Sequence, residues 1–346
     1  MSDSEFTWYA PTDSPFDLQG FAWFERDRVY NRLPRNFPKP FRPELENLAL
    51  NTAGGQIRFR TDSAQVAVRV TLIAPPAMGH MPATGQAGFD CYVGELGRQR
   101  YAGVTRFDVQ LSSYESVLMQ APDRDMRSLT LNFPLYQGVQ EVLVGLEPDA
   151  QLLPPLPYPD PRPVIVYGTS ITQGGCASRP GMAYTNLLSR WLQRPFINLG
   201  FSGNGRGDAE IAEALAEIPN PAAYVLDYQA NAGLEGLQAT LDPFLDILRS
   251  AHASVPVLVV SRIRYAAEML DPAVEQARQQ ASDFQAEVVA RRVQAGDSAL
   301  HFLDGTELLG PDFDECTVDG VHPTDLGFMR MATGLRPALE TVLSPH

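Results

Sequence analysis

Alternating apolar and polar positions dominate the first 150 residues of the chain. In several short runs every second side chain is apolar, a period that is typical of β-strands with one buried face. Gly, Pro and Asp residues suited to turns separate these runs. Many short strands of this kind predict an antiparallel β-sandwich domain over residues 1–150. The apolar positions are Ile57 and Phe59; Val66, Val68, Val70 and Leu72; Phe89, Cys91 and Val93; Leu129, Leu131 and Phe133; Val142, Val144 and Leu146.

A proline-rich segment follows at residues 151–163, which contain six prolines. Because proline lacks a backbone N–H and fixes φ, this segment can be neither a helix nor a central strand. We therefore expect an extended, semi-rigid linker that separates two domains. The second domain is predicted to span residues 164–346.

Beyond the linker, short apolar runs alternate with helical patterns. The clearest helical pattern places apolar residues three and four positions apart between residues 274 and 288, which gives one apolar face. The apolar runs are typical of parallel strands that are buried on both faces. The predicted fold is therefore a three-layer αβα domain with a flavodoxin-like sheet of five parallel strands. Those strands are predicted at residues 164–167, 196–199, 224–227, 257–260 and 301–304.

Composition and charge narrow the classes of partner. The chain has 346 residues, of which 44% are hydrophobic and 20% charged, as in an ordinary globular protein. The net charge is −14 and the sequence contains no basic cluster. Both features argue against binding to nucleic acid or to an anionic membrane surface. No apolar run approaches the length of a membrane span, and the first residues lack a secretory pattern. We therefore expect a cytoplasmic location and no membrane partner; the sequence leaves the oligomeric state open.

Cysteine and histidine positions give no sign of a metal or a disulfide framework. Three cysteines are too few for such a framework, so free thiols are expected. The cysteines and histidines show none of the spacings of known metal-ligand motifs, so neither a metal site nor a cofactor is predicted. The residues considered are Cys91, Cys176, Cys316, His80, His252 and His301.

The strongest chemical signal is a serine placed directly after the first parallel strand. Ser170 follows Gly168 and Thr169 at the end of the run 164–167. A serine hydroxyl is a weak nucleophile unless a base takes its proton, and histidine, with an unperturbed pKa of about 6.5, suits that task. Asp319 and His322 lie in one later loop, where the carboxylate can hold the imidazole in the required tautomer. Each motif alone is compatible with an ordinary turn or helix cap; together they are typical of a serine acyl hydrolase.

Two further strand ends carry groups that suit an oxyanion. Gly203 lies in a Gly-rich segment before a predicted helix at residues 208–218, and Asn231 follows the run 224–227. An unhindered backbone N–H and an amide side chain can both donate to a developing negative charge. Ligands of parallel sheets bind at the carboxyl ends of the strands. We therefore expect Ser170, Gly203 and Asn231 at one edge of the sheet.

In this order, the four blocks resemble those of the SGNH (GDSL-type) hydrolase superfamily over roughly residues 162–345. Residues 168–186 and 198–205 are similar to a bacterial two-domain subgroup labelled GDSL-like lipase or acylhydrolase. Residues 31–34 and 52–62 resemble the jelly-roll-like N-terminal domain of that subgroup. The resemblance implies Ser170 as nucleophile, His322 as general base and then acid, and Asp319 as its orienting carboxylate. It also implies an oxyanion hole made by the N–H groups of Ser170 and Gly203 and the side chain of Asn231.

The chain departs from the superfamily pattern at two blocks. Thr169 stands where the pattern Gly-Asp-Ser has a carboxylate, so residue 169 has no acid role. Many relatives have Gly-x-Asn-Asp at the third block, where this chain has Asp227 followed four residues later by Asn231. Arg179 and Arg206 neighbour the catalytic blocks and are candidate contacts for substrate, although such arginines more often form structural ion pairs.

The predicted function is a serine esterase acting through an acyl-serine intermediate. The acyl group that it removes is expected to be small, with acetyl as the first choice. The substrate would be a hydroxylated compound, either a small molecule or a carbohydrate. One alternative is an acyltransferase that uses the same residues with an alcohol acceptor, which the sequence does not separate from the esterase. Another is a catalytically inactive carbohydrate-binding protein, which the presence of Ser170, Asp319 and His322 disfavours.

Overall fold

The N-terminal region forms two antiparallel sheets in the structure, a computed structural model that describes residues 6–344. Its strands are Thr7–Tyr9 (β1), Asp17–Gln19 (β2), Gln56–Thr61 (β3), Gln65–Leu72 (β4), Asp90–Val93 (β5), Arg100–Val104 (β6), Ser113–Gln120 (β7), Arg127–Asn132 (β8), Val139–Leu146 (β9) and Leu152–Leu153 (β10). One sheet has the order β1-β9-β4-β7. The other has the order β10-β3-β8-β5-β6, and β2 also pairs with β3.

The two sheets share one apolar core. Val66, Val68 and Val70 of β4 are buried in the same cluster as Ile57 and Phe59 of the opposite sheet. This arrangement confirms the predicted antiparallel β-sandwich and the alternation from which it was inferred.

Five strands of the sandwich were not predicted from the alternation of apolar residues: β1, β2, β6, β7 and β10. β6 is exposed or half-buried along its length, so it needs no apolar alternation. β7 does alternate, but a serine, Ser116, occupies one of its buried positions. β1, β2 and β10 are only two or three residues long, which is too short for a period to be recognised.

Part of the N-terminal region packs against the second domain. Its helices are Phe24–Asp27 (α1), Pro43–Ala49 (α2) and Ala83–Ala87 (α3). Phe41 and Leu45 lie in the same buried cluster as Ile197 and Phe201 of the second domain. The predicted division at residues 150 and 164 stays a prediction, and its outermost residues, 1–5 and 345–346, lie outside the described residues.

The proline-rich segment runs in extended form beside β3. Its first residues form the edge strand β10, a position that tolerates the missing N–H groups of the prolines that follow. Arg58 donates to the carbonyl oxygen of Leu156 at 2.7 Å and lies 3.8 Å from the ring centre of Tyr158. The segment is thus attached to the sandwich along part of its length.

The second domain is built on a parallel sheet with helices around it. Its strands are Val164–Gly168 (β11), Phe196–Gly200 (β12), Ala223–Asp227 (β13), Val257–Val260 (β14) and Leu300–Leu303 (β15). Its α-helices are Ser170–Gln173 (α4), Tyr184–Leu192 (α5), Ala209–Glu217 (α6), Gln229–Ala251 (α7), Pro272–Gln294 (α8) and Asp325–Leu343 (α9). The strands lie in the order β12-β11-β13-β14-β15, so β12 is added on one side of β11 and the later strands on the other. Such a switch in the direction of chain winding opens a crevice at the carboxyl end of β11.

The predicted αβα fold of five parallel strands is confirmed. Each predicted strand agrees with an observed one to within one residue, and α6 and α8 cover the predicted helical patterns. Within residues 6–344, no helix is both long and apolar enough to cross a membrane.

Candidate active site

Ser170 lies at the first helical position of α4, immediately after β11. The side chain of Thr169 caps this helix by accepting a hydrogen bond from the Ile171 N–H at 3.3 Å. A Cβ at Gly168 would lie 2.0 Å from the Thr172 hydroxyl, so the turn requires glycine. The tight strand-to-helix turn fixes the position of the serine, and Thr169 serves it structurally instead of as an acid.

The side chains of Ser170, His322 and Asp319 form a continuous hydrogen-bonded chain. His322 Nε2 lies 2.9 Å from Ser170 Oγ, and His322 Nδ1 lies 2.7 Å from Asp319 Oδ2. A carboxylate can only accept a hydrogen bond, so Nδ1 carries the proton. Nε2 is then free to accept from the serine hydroxyl, which is the arrangement that general-base activation needs.

The acid-base loop, defined here as residues 317–323, is held by short-range contacts. Thr317 and Pro323 form an antiparallel bridge, and the Val318 N–H donates to the His322 carbonyl at 2.8 Å. Asp319 Oδ1 accepts from the N–H groups of Val321 at 3.1 Å and of His322 at 2.8 Å. Partial burial acts to raise the pKa of Asp319, but the hydrogen bonds from His322 and Val321 outweigh it and hold this pKa below its usual range.

The oxyanion loop, defined here as residues 200–208 and named for its predicted role, follows β12. Gly203 has φ of +67°, and a Cβ there would meet no atom within 4 Å, so its backbone faces open space. Within residues 6–344, neither the Gly203 nor the Ser170 N–H donates to another backbone or side-chain group. Two N–H donors are thus available near the Ser170 hydroxyl.

Asn231 is fixed to the oxyanion loop through its amide oxygen. The Gly205 N–H donates to Asn231 Oδ1 at 3.2 Å. Because an N–H can bond only to the oxygen, the orientation of the amide is determined, and its Nδ2 is left as a donor. Asn231 lies in the first turn of α7, which Gly233 interrupts with φ of 61° and ψ of −172°.

Two arginines of the N-terminal region hold the oxyanion loop from behind. Arg32 is buried and donates to the carbonyl oxygens of Asn51 at 2.6 Å, Leu48 at 2.7 Å and Gly200. No carboxylate within residues 6–344 bonds to this side chain. Burial lowers the pKa of Arg32 to about 9, which leaves the guanidinium charged at neutral pH. Arg42 extends the same support by donating to Asn204 Oδ1 at 2.8 Å and to Asp208 at 2.6 Å.

The N-terminal region also contacts the nucleophile helix. Tyr136 donates its hydroxyl to the Ser170 carbonyl oxygen at 3.1 Å. Gln173 donates to the Leu135 carbonyl oxygen at 3.0 Å and accepts from the Ser202 N–H at 3.0 Å. One glutamine therefore connects the sandwich, α4 and the oxyanion loop.

A buried carboxyl group lies behind the nucleophile helix. Asp227 Oδ2 accepts hydrogen bonds from Tyr184 at 2.9 Å and from Thr172 at 3.1 Å. Burial raises the pKa of Asp227 to about 7, against the opposing effect of these two hydrogen bonds. Among the described residues Asp227 has no bond to His322, so it is not the carboxylate that orients this imidazole.

The two candidate substrate arginines have different surroundings. The Arg179 guanidinium lies 3.3 Å from Asp90 and 4.0 Å from the ring centre of Tyr101, and it also donates to Tyr92. All three partners belong to the sandwich, so this side chain joins the two domains. Arg206 is exposed and donates to the Gly203 carbonyl oxygen at 3.0 Å, beside the predicted oxyanion donors.

His80 and Cys176, which no sequence motif connects to the site, lie beside His322. The rings of His80 and His322 have centres 6.1 Å apart. Cys176 is buried and has φ of +73°, a conformation that residues other than glycine rarely adopt. Burial raises the pKa of the Cys176 thiol to about 11, with a smaller contribution from Asp319. Only the fold brings these residues together, since about a hundred positions separate His80 from Cys176.

The fold and the strand-end residues define a serine hydrolase of the SGNH type. Residues 161–340 match the model of the GDSL-like Lipase/Acylhydrolase family, and residues 6–152 match a model described as the N-terminus of Esterase_SGNH_hydro-type. The chain belongs to the GDSL-like lipase/acylhydrolase family. Comparison with curated protein sequences gives no significant match.

Solved structures repeat the two-domain arrangement. A protein described as a GDSL-like lipase from Bacteroides ovatus is 30% identical, with a TM-score of 0.90 and 98% of each chain covered. The salicylyl-acyltransferase SsfX3 of a tetracycline biosynthetic pathway is 22% identical, with a TM-score of 0.78 over 99% of this chain and 98% of that one. A family two carbohydrate esterase from Cellvibrio japonicus is 14% identical, with a TM-score of 0.61 over 98% of both chains. At these two lower identities, the likeness to SsfX3 and to the Cellvibrio japonicus protein shows a common fold and no more.

The N-terminal family is named after a short pattern, GxDLY. This chain has Gly-Phe-Asp-Cys-Tyr at residues 88–92, with cysteine in place of leucine. Asp90 is fully buried and accepts from the Gly181 N–H at 2.7 Å, besides its ion pair with Arg179. The pattern thus supplies the sandwich side of the contact that holds residues 179–181. The alternation at residues 89–93 predicted only a strand, although the pattern is visible in the sequence.

Proposed function

We propose that the protein hydrolyses esters of a small acyl group, with acetyl as the leading candidate, through an acyl-Ser170 intermediate. The observation that carries this proposal is the hydrogen-bonded chain from Ser170 Oγ through His322 to Asp319, with distances of 2.9 and 2.7 Å. Acyl transfer requires a nucleophile, a base and donors for the oxyanion, and each has a candidate at one edge of the sheet.

In the first step Ser170 Oγ attacks the ester carbonyl carbon while its proton moves to His322 Nε2. Asp319 accepts from Nδ1–H and stabilises the imidazolium that forms. The N–H groups of Ser170 and Gly203 and the Asn231 amide donate to the carbonyl oxygen as it becomes negative. Collapse of the tetrahedral intermediate breaks the ester bond, and the imidazolium returns the proton to the departing alcohol. Water then attacks the acyl-serine by the same sequence.

The alcohol portion of the substrate is proposed to be a hydroxylated compound, with carbohydrate as the first class to examine. Support for this class is limited to fold, because the Cellvibrio japonicus protein is a carbohydrate esterase by description. The site has one exposed side, since His80 is exposed and the side chains of Asp319 and His322 are 37% and 23% exposed. A bulky alcohol can therefore extend into solvent while the acyl group lies near α4.

Hydrolysis of p-nitrophenyl acetate by the full chain tests the proposal. Ser170→Ala is expected to reduce kcat/KM by roughly 10⁴-fold or more, because it removes the nucleophile. Ser250→Ala is a matched control, since Ser250 is exposed on α7 and bonds only to the Asp246 carbonyl oxygen among the described residues. Absence of activity on every short-chain ester, or full activity in Ser170→Ala, would remove the basis of the proposal.

An acyltransferase acting through the same residues is the second candidate. SsfX3 is described as an acyltransferase and shares this fold over nearly the whole chain. Hydrolase and transferase differ in whether water reaches the acyl-serine. Product analysis with a competing alcohol separates them: free acid indicates the esterase, and a new ester that replaces the acid as the main product indicates the transferase. A catalytically inactive binding protein would give neither product.

A further inference from the structure

Three potential metal ligands surround the proposed base. His80, Cys176 and His322 each offer one ligand atom, and these atoms all lie within 4.8 Å of one another. His80 is exposed, Cys176 is buried and His322 is half-buried, so the cluster lies between the protein interior and solvent. The three come from the sandwich side of the site, from the loop after α4 and from the acid-base loop.

The backbone around Cys176 is fitted closely against His322. A Cβ at Gly175 would lie 2.8 Å from the Tyr136 hydroxyl and 3.2 Å from His322 Cδ2, so a larger residue there would have to displace these side chains. The next residue, Cys176, has the unusual φ of +73° already described. Strained backbone of this kind is concentrated at functional sites, where the surrounding structure fixes it.

The donor set matches a borderline-soft divalent cation. One thiolate and two imidazoles are ligands that Zn²⁺ prefers, whereas Mg²⁺ and Ca²⁺ prefer oxygen. Bonds of about 2.0–2.3 Å in a tetrahedral site place ligand atoms roughly 3.3–3.8 Å apart. From separations of at most 4.8 Å, a closure of about 1–1.5 Å brings the ligand atoms into that range. Asp319 already bonds to His322 Nδ1 at 2.7 Å, which is the carboxylate–histidine pairing that orients metal-binding imidazoles.

We propose that His80, Cys176 and His322 form a site for a thiophilic divalent cation, with Zn²⁺ as its representative, that reversibly switches off the serine. His322 would bind through Nε2, since Nδ1 is bonded to Asp319. Binding replaces the thiol proton of Cys176, which leaves to solvent, and water completes the coordination. The metal takes the lone pair that otherwise accepts the Ser170 proton. The inhibition rests on the function proposed above, whereas metal binding does not.

Calorimetric titration of the chelator-treated full chain with Zn²⁺ tests the site. Wild type is expected to bind one Zn²⁺ per chain, and Mg²⁺ and Ca²⁺ are expected not to compete. His80→Ala and Cys176→Ala should each weaken the affinity by at least about 10- to 100-fold, since loss of even an outer-shell partner of a metal ligand costs that much. His252→Ala and Cys91→Ala are matched controls, because they remove the same residue types elsewhere and should leave the affinity unchanged. Affinity unaffected by His80→Ala and Cys176→Ala would overturn the site.

The ligands can also be identified without any variant. X-ray absorption of Zn²⁺-loaded wild type should show sulfur at about 2.3 Å together with nitrogen neighbours. A spectrum without sulfur would exclude Cys176 and overturn the proposal even if Cys176→Ala failed to fold.

Ser170→Ala separates this inference from the proposed function. The variant should still bind Zn²⁺, because the serine is not a ligand. In active enzyme, Zn²⁺ should suppress ester hydrolysis and a chelator should restore it. With each protein's rate normalised to its own metal-free rate, His80→Ala should need at least about tenfold more Zn²⁺ than wild type for half-inhibition. Zn²⁺ binding with unchanged hydrolysis would overturn the inhibitory role. Loss of Zn²⁺ binding in Ser170→Ala would overturn the assigned ligand set.

Discussion

The acid-base loop and the oxyanion loop both bond to α4 but are held in different ways. The acid-base loop is closed mainly by hydrogen bonds between residues within eight positions of each other, such as Asp319 to His322 and Thr324 to Cys316. Its longer-range bonds are those of His322 to Ser170 and of the Gly320 carbonyl oxygen to the Ala266 N–H at 2.9 Å. The oxyanion loop depends on Arg32 and Arg42, which lie more than 150 positions earlier in the chain. The acid-base loop is therefore held mostly by its own residues, whereas the oxyanion loop needs side chains from the N-terminal region.

This difference gives the N-terminal region a role in positioning the site. Arg32 contributes a buried charge whose hydrogen-bond acceptors among the described residues are all carbonyl oxygens, and the ring of Phe201 lies 4.8 Å away. Its bonds to Leu48, Asn51 and Gly200 fix α2, the loop between α2 and β3, and the end of β12 relative to one another. We infer that the donors of the oxyanion loop keep their positions only while this contact is intact.

Asp319→Asn should give the largest effect on turnover and a small effect on stability. The amide can donate to the ring and so favours the wrong imidazole tautomer, which costs roughly 10⁴-fold in kcat in enzymes of this type. Because Asp319 is 37% exposed and its loop is held by short-range bonds, the free energy of unfolding should change by only about 1 kcal/mol. Steady-state kinetics and urea denaturation measure the two quantities. A turnover within a few-fold of wild type would contradict its assigned role.

Asn231→Ala should reduce kcat by about 10² to 10³, the usual cost of losing one oxyanion donor. The Gly205 N–H also loses one of its two acceptors and keeps the Phe201 carbonyl oxygen at 3.1 Å, so part of the effect arises from the loop itself. Asn231→Asp is an informative companion, because it keeps an acceptor for Gly205 but removes the donor. If either variant retained turnover within a few-fold of wild type, Asn231 would not be an oxyanion donor.

Arg32→Met should lower both stability and turnover, which sharpens the contrast with Asp319→Asn. Several buried carbonyl oxygens lose their donors, which should reduce the free energy of unfolding by roughly 3 kcal/mol. Displacement of the oxyanion loop should lower kcat by roughly ten- to a hundredfold while KM changes little. Arg35→Met, at an exposed position of the same segment, is the control. Lower stability with an unchanged kcat would show that Arg32 serves folding alone.

Asp227→Asn should have the smallest effect on turnover and a distinct effect on the pH dependence of stability. An unfolded aspartate ionises near pH 3.8, but the folded one ionises near pH 7 because it is buried. The folded state thus binds the proton more tightly, so its contribution to stability is fully present below pH 3.8 and is lost as pH rises through 7. In wild type, ionisation of Asp227 should change the free energy of unfolding by at most about 4 kcal/mol over this pH range. The introduced amide does not ionise, so this change should be absent from the variant. Parallel stability curves for variant and wild type between pH 4 and 8 would contradict the shift.

The self-contained features were those that the sequence could predict. The five parallel strands are buried on both faces and appear as continuous apolar runs, and Ser170, Asp319 and His322 lie in short motifs beside them. Neither kind of signal needs information from distant residues. The order of the strand-end blocks then located Gly203 and Asn231, which the structure ties to one loop.

The features that sequence reasoning missed depend on contacts between distant segments. Arg32 appeared only as part of a resemblance, since nothing near it in the chain shows that it bonds to Gly200. His80 and Cys176 share no spacing with His322, and Arg179 became a domain contact only once Asp90 was placed beside it. Burial of an unpaired charge or of a carboxyl group is likewise a property of packing, which periodicity does not encode.

Mass spectrometry of the protein quenched during turnover of p-nitrophenyl acetate tests the central claim most directly. The account predicts an acetyl group on the peptide that contains Ser170, present in wild type and absent in Ser170→Ala and His322→Ala. Accumulation should increase in Asn231→Ala if deacylation becomes slower than acylation. An acetyl group that persists in Ser170→Ala at another residue, together with unchanged hydrolysis, would contradict the assignment of Ser170 as nucleophile.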